Sequence, residues 1–137
     1  MSAKIVKRSG LQQDRELIVN SWLRGQYHGT PFWSMMEKEL FYSNYISLIN
    51  SILDTGTVDV AVLDDDPSTI LSVLVTKGST VFWAYTKKDY RNQGLITFLA
   101  KGKTIDTTAS TTLPGAAIAK KKKLTFNPFL MTGSEKI

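Results

Sequence analysis

Between residues 41 and 62 the hydrophobic period of the chain changes from that of a helix to that of a strand. Phe41, Tyr45, Leu48, Ile49, Ile52 and Leu53 fall at i, i+4, i+7, i+8, i+11 and i+12, which places them on one buried helix face. Gly56 is a natural end for that helix. From Val58 the apolar residues recur at every second position, with Val58, Val60 and Val62 alternating against Asp59, Ala61 and Leu63. An amphipathic helix running into a strand limits the chain to folds that lay helices on a sheet. The aromatics of the helix read as core packing rather than as a cofactor box.

The remaining elements follow from local signals. Residues 4–9 read as a short first strand that Gly10 breaks. Ile18 with Trp22, and Val19 with Leu23, mark a helix over residues 11–26 that stops at Gly29 and Pro31, because the residue before a proline is pushed out of helical geometry. Asp64-Asp65-Asp66-Pro67-Ser68 is a turn-forming run, and residues 69–76 return as a hairpin partner. Lys77-Gly78-Ser79 makes the next turn, and residues 80–86 form a third antiparallel strand. A third helix spans residues 95–103, with Leu95, Phe98 and Leu99 on its inner side. Residues 105–110 then read as a strand, 113–123 as a short helix and 124–131 as an extended piece. The expected class is α/β (α+β), a mixed, mostly antiparallel central sheet flanked by helices, with residues 80–86 central. A chain of 137 residues that is 42% hydrophobic has the size and apolar content of one packed domain, here residues 1–131, with 132–137 as a flexible tail.

Composition excludes several function classes. The chain has no cysteine, so disulfides, thiolate zinc sites and cysteine nucleophiles are ruled out, and a reducing cytoplasm is the default location. One histidine cannot build a zinc site. No apolar run approaches the roughly 18 to 20 residues that span a bilayer, so no membrane partner is expected. The net charge of +5 favours an anionic partner. Lys120-Lys121-Lys122-Lys123 is the densest charge run; it suits the negative end of a short helix, and without aromatics among the lysines a nucleic-acid partner is disfavoured. The three adjacent aspartates read as a solvated hairpin tip rather than a metal site.

The chemically informative stretch runs from Val81 to Ile96. A hydrophobic strand ends in the basic loop Lys87-Lys88-Asp89-Tyr90-Arg91-Asn92-Gln93-Gly94, which opens a helix. The first amides of a helix have no intrahelical partner and face the positive end of its dipole, so such a junction can hold a pyrophosphate. Gly94 would let the backbone approach the anion and Arg91 would add charge.

Arg91-x-x-Gly94-x-Ile96, preceded by a strand and Tyr90, resembles the acyl-coenzyme-A-binding motif of the GNAT acetyltransferase superfamily, and the element order over about residues 3–104 agrees with it. Ile96 stands where that pattern carries glycine or alanine. Ser21-Trp22-Leu23-Arg24, the loop from His28 to Phe32, the Asp64 to Pro67 turn and the Phe126-Asn127-Pro128-Phe129-Leu130 ending are similar in look to small GNAT-like proteins of tailed bacteriophages.

The resemblance implies an N-acyltransferase that moves an acetyl group directly from acetyl-coenzyme A to an amine, on a small molecule or on a protein lysine or amino terminus. It implies a cofactor site of Trp83, Ala84, Tyr85, Thr86, Arg91, Asn92, Gln93, Gly94, Leu95 and Ile96, in which the strand from Trp83 to Thr86 splays from the next one and pairs with the pantetheine arm. The thioester would lie near Tyr85, the one substitute for the late tyrosine that many members use as an acid, because the late aromatics here are Phe126 and Phe129. Glu37 and Glu39, at the start of the second helix, are either a base acting through water or ordinary helix-start carboxylates. His28 is either a base or acceptor contact, or a loop histidine without a role. Phe32 and Trp33 either close over a substrate or anchor the loop. The alternative function is a catalytically inactive GNAT-like phage protein that binds a host or phage protein, in the host cytoplasm.

Overall fold

The computed structural model describes residues 4–110, 112 and 120–132. Six strands form one sheet in chain order: β1 (Ile5–Ser9), β2 (Thr57–Leu63), β3 (Asp66–Lys77), β4 (Thr80–Thr86), β5 (Thr107–Thr108) and β6 (Thr125–Phe126). The first four are antiparallel neighbours, and β5 and β6 run parallel to β4 and to each other. This is the expected mixed, mostly antiparallel sheet with helices on it, and β4 holds an inner place between β3 and β5.

The helices are α1 (Arg15–Gly29), α2 (Pro31–Ser34), α3 (Lys38–Thr55) and α4 (Leu95–Ala100). Ile18, Trp22 and Leu23 of α1 and Phe41, Tyr45, Ile49 and Ile52 of α3 are buried with Val60, Val62, Val73 and Val75 of the sheet. On the opposite face Ala61 and Leu74 pack with Leu99 of α4. The alternation read in β2 therefore sorts its residues between two packed faces rather than between core and water. Asp59 belongs to the second face and is 7% exposed. Lys103 Nζ lies 3.0 Å from its Oδ2, a charge contact without hydrogen-bond alignment, while Lys7 Nζ is 4.0 Å from its Oδ1. Lys7 also donates to the Leu99 carbonyl at 3.3 Å, which fastens the end of α4 to the sheet.

Several boundaries differ from the sequence expectation. The first helix begins at Arg15, after a 3-10 turn over Gln12–Asp14, and runs to Gly29. Pro31 starts α2 rather than closing the helical region: Thr30 is extended, its hydroxyl accepts the Trp33 N–H at 3.3 Å, and Pro31 sits where a helix has no use for an N–H. The hairpin tip is shorter than expected, with β3 already under way at Asp66, whose carboxylate accepts the hydroxyls of Ser68 at 2.7 Å and of Thr69. Helix α4 stops at Ala100 instead of 103, and Gly102 follows with φ 85°. The strand expected over 105–110 contracts to the two residues of β5. Residues 124–131 are extended only at β6 and then coil into a 3-10 turn, Pro128–Thr132, so Thr132 belongs to that turn. The helix expected over 113–123 lies mostly outside the described residues, as does the expected tail beyond Thr132. No helix among the described residues is long and apolar enough to cross a membrane.

Candidate functional site at a fork in the sheet

The contacts between β4 and β5 are brief. Thr80 pairs with Thr107 and Val81 with Thr108, and the Ala109 N–H donates to the Val81 carbonyl at 3.0 Å. At that point β4 carries a bulge: Thr76 of β3 faces Val81 and Val75 faces Trp83, so Phe82 has no partner across β3. A bulge bends its strand and increases the local twist. From Phe82 to Thr86, β4 keeps β3 on one side and has no paired strand among the described residues on the other. The chain after β5 leaves the sheet toward α1, where Gly29 and Thr112 meet so closely that a β-carbon on the glycine would lie 2.4 Å from Thr112 Cγ2. The result is a fork whose arms part at Phe82 and Ser110. Main-chain groups along the free edge of β4 need a partner.

Downstream of the fork the Lys87 N–H still donates to Leu71 of β3 at 2.8 Å, and a 3-10 turn over Lys88–Tyr90 leads into the glycine-bearing loop. Asn92 has φ 63° and Gly94 φ 75°, both left-handed. Arg91 Nε donates to the Thr86 carbonyl at 3.0 Å, and Gln93 Nε2 donates to the Asp89 carbonyl at 3.4 Å. Gly94 caps α4, accepting the Phe98 N–H at 2.9 Å. A β-carbon at Gly94 would meet nothing within 4 Å, so its dihedral rather than crowding within the chain selects glycine there. Residues 91–94 are exposed, beside the exposed Lys87 and Lys88.

Leu95 and Ile96 turn inward instead. Leu95 is buried, and Ile96 packs against the Ala61, Leu74 and Leu99 cluster. The bulk of Ile96 is thus spent on the sheet face. Trp83 also faces inward, stacked on Trp22 with ring centroids 5.7 Å apart, and Gly25 leaves room for its ring. Ala84 is exposed, and Tyr85 and Thr86 are half-buried. Ser72 Oγ donates to the Tyr85 carbonyl at 2.9 Å and lies 3.0 Å from the Thr86 hydroxyl.

The residues expected on the acceptor side lie around α2. His28 sits in the last turn of α1, edge-on to Tyr27. Glu37 caps α3 and Glu39 occupies its first turn; both are exposed, and neither forms an ion pair among the described residues. No hydrogen bond among the described residues joins His28, Glu37 or Glu39 to Tyr85. Trp33 packs on Phe41 and Tyr45, at 5.2 and 5.4 Å, whereas Phe32 is 71% exposed.

Three polar residues to which the sequence gives no chemical role meet at the base of the fork. Ser110 Oγ donates to Gln26 Oε1 and lies 3.4 Å from the Tyr45 hydroxyl. Gln26 and Tyr45 are both buried. Burial pushes the Tyr45 phenol above its ordinary pKa; the Ser110 hydroxyl opposes this, as does the nearby Trp22 indole, which does not reach hydrogen-bond geometry. The Trp22 and Trp83 indole nitrogens are buried without a hydrogen-bond partner among the described residues. Helical periodicity did assign Tyr45 to the core; only its spatial neighbours mark it as anything more. A cavity of about 150 Å³ lies elsewhere, at the opposite end of α1 between Gly10, Arg15, Leu53 and Val58.

No protein-family model matches the chain. A comparison with curated proteins gives no match either. Solved structures do resemble it. A GCN5-related N-acetyltransferase from Rhodopseudomonas palustris superposes with a TM-score of 0.57 at 17% identity, over 88% of this chain and 82% of that one. A predicted acetyltransferase from Clostridium acetobutylicum, solved with acetyl-CoA, gives 0.52 at 13% identity, over 89% and 90%. Apo YjaB from Escherichia coli gives 0.51 at 19% identity over 72% of this chain, which spans only 63% of YjaB. At these identities the shared property is architecture, and the chain has the fold of the GCN5-related N-acetyltransferases.

Proposed function

We propose that the protein is an acyl-coenzyme-A-dependent N-acetyltransferase that carries an acetyl group from acetyl-coenzyme A directly to an amine, on a small molecule or a protein. The observation that carries this proposal is the fork: β4 gives up its neighbour at Phe82 and runs with a free edge to Thr86, directly ahead of the exposed loop from Arg91 to Gly94. An extended pantetheine arm added to that edge would satisfy its main-chain groups, and the loop amides with Arg91, Lys87 and Lys88 would face the pyrophosphate. The chain of a neighbour with this architecture was solved with acetyl-CoA. The protein's part in the reaction is then mainly to hold thioester and amine together while the amine attacks and the thiolate leaves.

Calorimetric titration of coenzyme A tests this. The wild type should bind, and Gly94→Val should lose binding by about tenfold or more while remaining folded, because a β-branched residue resists φ 75° and crowds the approach to the anion. Arg91→Ala should be milder, because the main-chain amides remain. No heat of binding by the wild type at millimolar coenzyme would reject the proposal.

In the alternative, the protein is a catalytically inactive relative, of the kind tailed bacteriophages encode, that docks on a host or phage protein. The observation favouring it is the pair of exposed apolar residues on and just after α2, Phe32 at 71% and Met35 at 85%. Partner capture unaffected by coenzyme A and abolished by Phe32→Ser would support it.

A further inference from the structure

We propose that Ser110 is the catalytic hydrogen-bond donor to the sulfur that departs from the thioester, with Tyr45 and Gln26 as its positioning residues. The proposal rests on the acetyl-transfer function above and assigns a role within that site.

Three observations converge on Ser110. It is the first residue after Ala109, whose N–H to the Val81 carbonyl is the last main-chain bond between the two arms among the described residues, so it stands at the vertex of the fork. It is only partly buried, whereas its two partners are at most 4% exposed, so of the three Ser110 is the one with an open side. Its partners come from two other elements, α1 and α3, which hold the hydroxyl from two directions. A buried glutamine in a core of tryptophan and tyrosine is costly unless its polar atoms are used, and apolar side chains would pack the same space at less expense in desolvation.

When the amine attacks, the carbon–nitrogen bond forms and the carbon–sulfur bond breaks with its electron pair on sulfur. The nitrogen gives up one proton to solvent water and the departing thiolate takes one from solvent, so the transfer is proton-neutral and Ser110 keeps its own proton. While the charge develops, the Ser110 hydroxyl turns from the Gln26 carbonyl oxygen to the sulfur, and the Tyr45 phenol, 3.4 Å away, donates to the Ser110 oxygen, which strengthens Ser110 as a donor. A phenol is protonated at neutral pH in any case, and burial shifts Tyr45 further toward that form.

The test needs no acceptor. The thiol of coenzyme A bound to the protein is titrated through its thiolate absorbance, alongside calorimetry of coenzyme A binding at neutral pH. In the wild type the bound thiol should titrate lower than in Ser110→Ala by about one to two pH units, the shift expected for one hydrogen bond to a charged atom. Tyr45→Phe should give a smaller shift in the same direction, and Ser110→Thr should restore the wild-type value. Coenzyme affinity at neutral pH should stay within about threefold throughout. A purely structural role would lower the melting temperature and leave the thiol titration unchanged, so equal titration in wild type and Ser110→Ala overturns the inference. Failure of the wild type to bind coenzyme A would reject the proposed function and this inference with it; binding without the shift rejects this inference alone.

Discussion

Ile96 illustrates how one side chain can satisfy a packing need at a position where a ligand-binding motif carries a smaller residue. The motif Arg91-x-x-Gly94-x-Ile96 invites the expectation that a smaller residue at the last place would improve an anion site. In the structure Ile96 fills the space between α4 and the Ala61, Leu74 and Leu99 cluster. Ile96→Ala should therefore destabilise the protein by about 1–2 kcal/mol, below the range for a fully buried isoleucine because the residue is only partly buried. Chemical denaturation measures this, and an unchanged midpoint would mean that the side chain does not pack as described. Gly94 differs in kind: its requirement is a positive φ, which a sequence motif can signal but only a backbone can display.

Among the elements, β4 and α1 depend on each other. Trp83 can face inward at the fork only because Gly25 leaves its ring room against α1, where a β-carbon would come within 2.5 Å of Trp83 Cη2. Gly25→Ala should cost about 1–3 kcal/mol through overpacking, more than the gain in helix propensity returns. Thermal unfolding would detect it, together with a change in tryptophan fluorescence from the Trp22 and Trp83 stack. A stabilised variant would contradict the packing. The short helix α2 shows the same dependence on context: Pro31 looks like a stop signal, yet the Thr30 hydroxyl and the free first-turn position make it a start.

On the scale of the whole molecule, the ion pair of Arg8 and Asp14 ties β1, the entry to α1 and the hairpin after β2. Arg8 Nη1 lies 2.7 Å from Asp14 Oδ2, and the same guanidinium donates to the Pro67 carbonyl. Burial alone would raise the Asp14 carboxyl, but Arg8 and the Leu11 N–H more than offset it, so its pKa lies below the ordinary value. A group with a lowered folded pKa contributes stability that is full above its unfolded value, about 3.9, and is lost as pH falls through the folded one. Urea midpoints measured from neutral pH down through that window should fall for the wild type, and fall less steeply for Asp14→Asn, which should already be weaker at neutral pH by about 2 kcal/mol. Parallel curves would show that Asp14 is not the group responsible.

Much of this organisation could be read from local chemistry. The face of α3, the alternation of β2, the Lys77-Gly78-Ser79 turn and the bounds of β4 follow from neighbours in the chain, because side-chain period and turn geometry are set within a few residues. The strand and loop proposed to carry the cofactor were legible for the same reason. What only the tertiary structure decided is non-local. The length of β5 depends on where the chain after it meets Gly29, the bulge at Phe82 depends on the register of β3, and α4 ends where Lys7 holds the Leu99 carbonyl and Lys103 reaches Asp59 of the sheet. The cluster at the vertex joins Gln26 and Tyr45 to Ser110 across 84 and 65 residues. Each of the three looks unremarkable among its sequence neighbours, since a polar side chain acquires a chemical role from what the fold brings within hydrogen-bond reach, and no local periodicity encodes that distance.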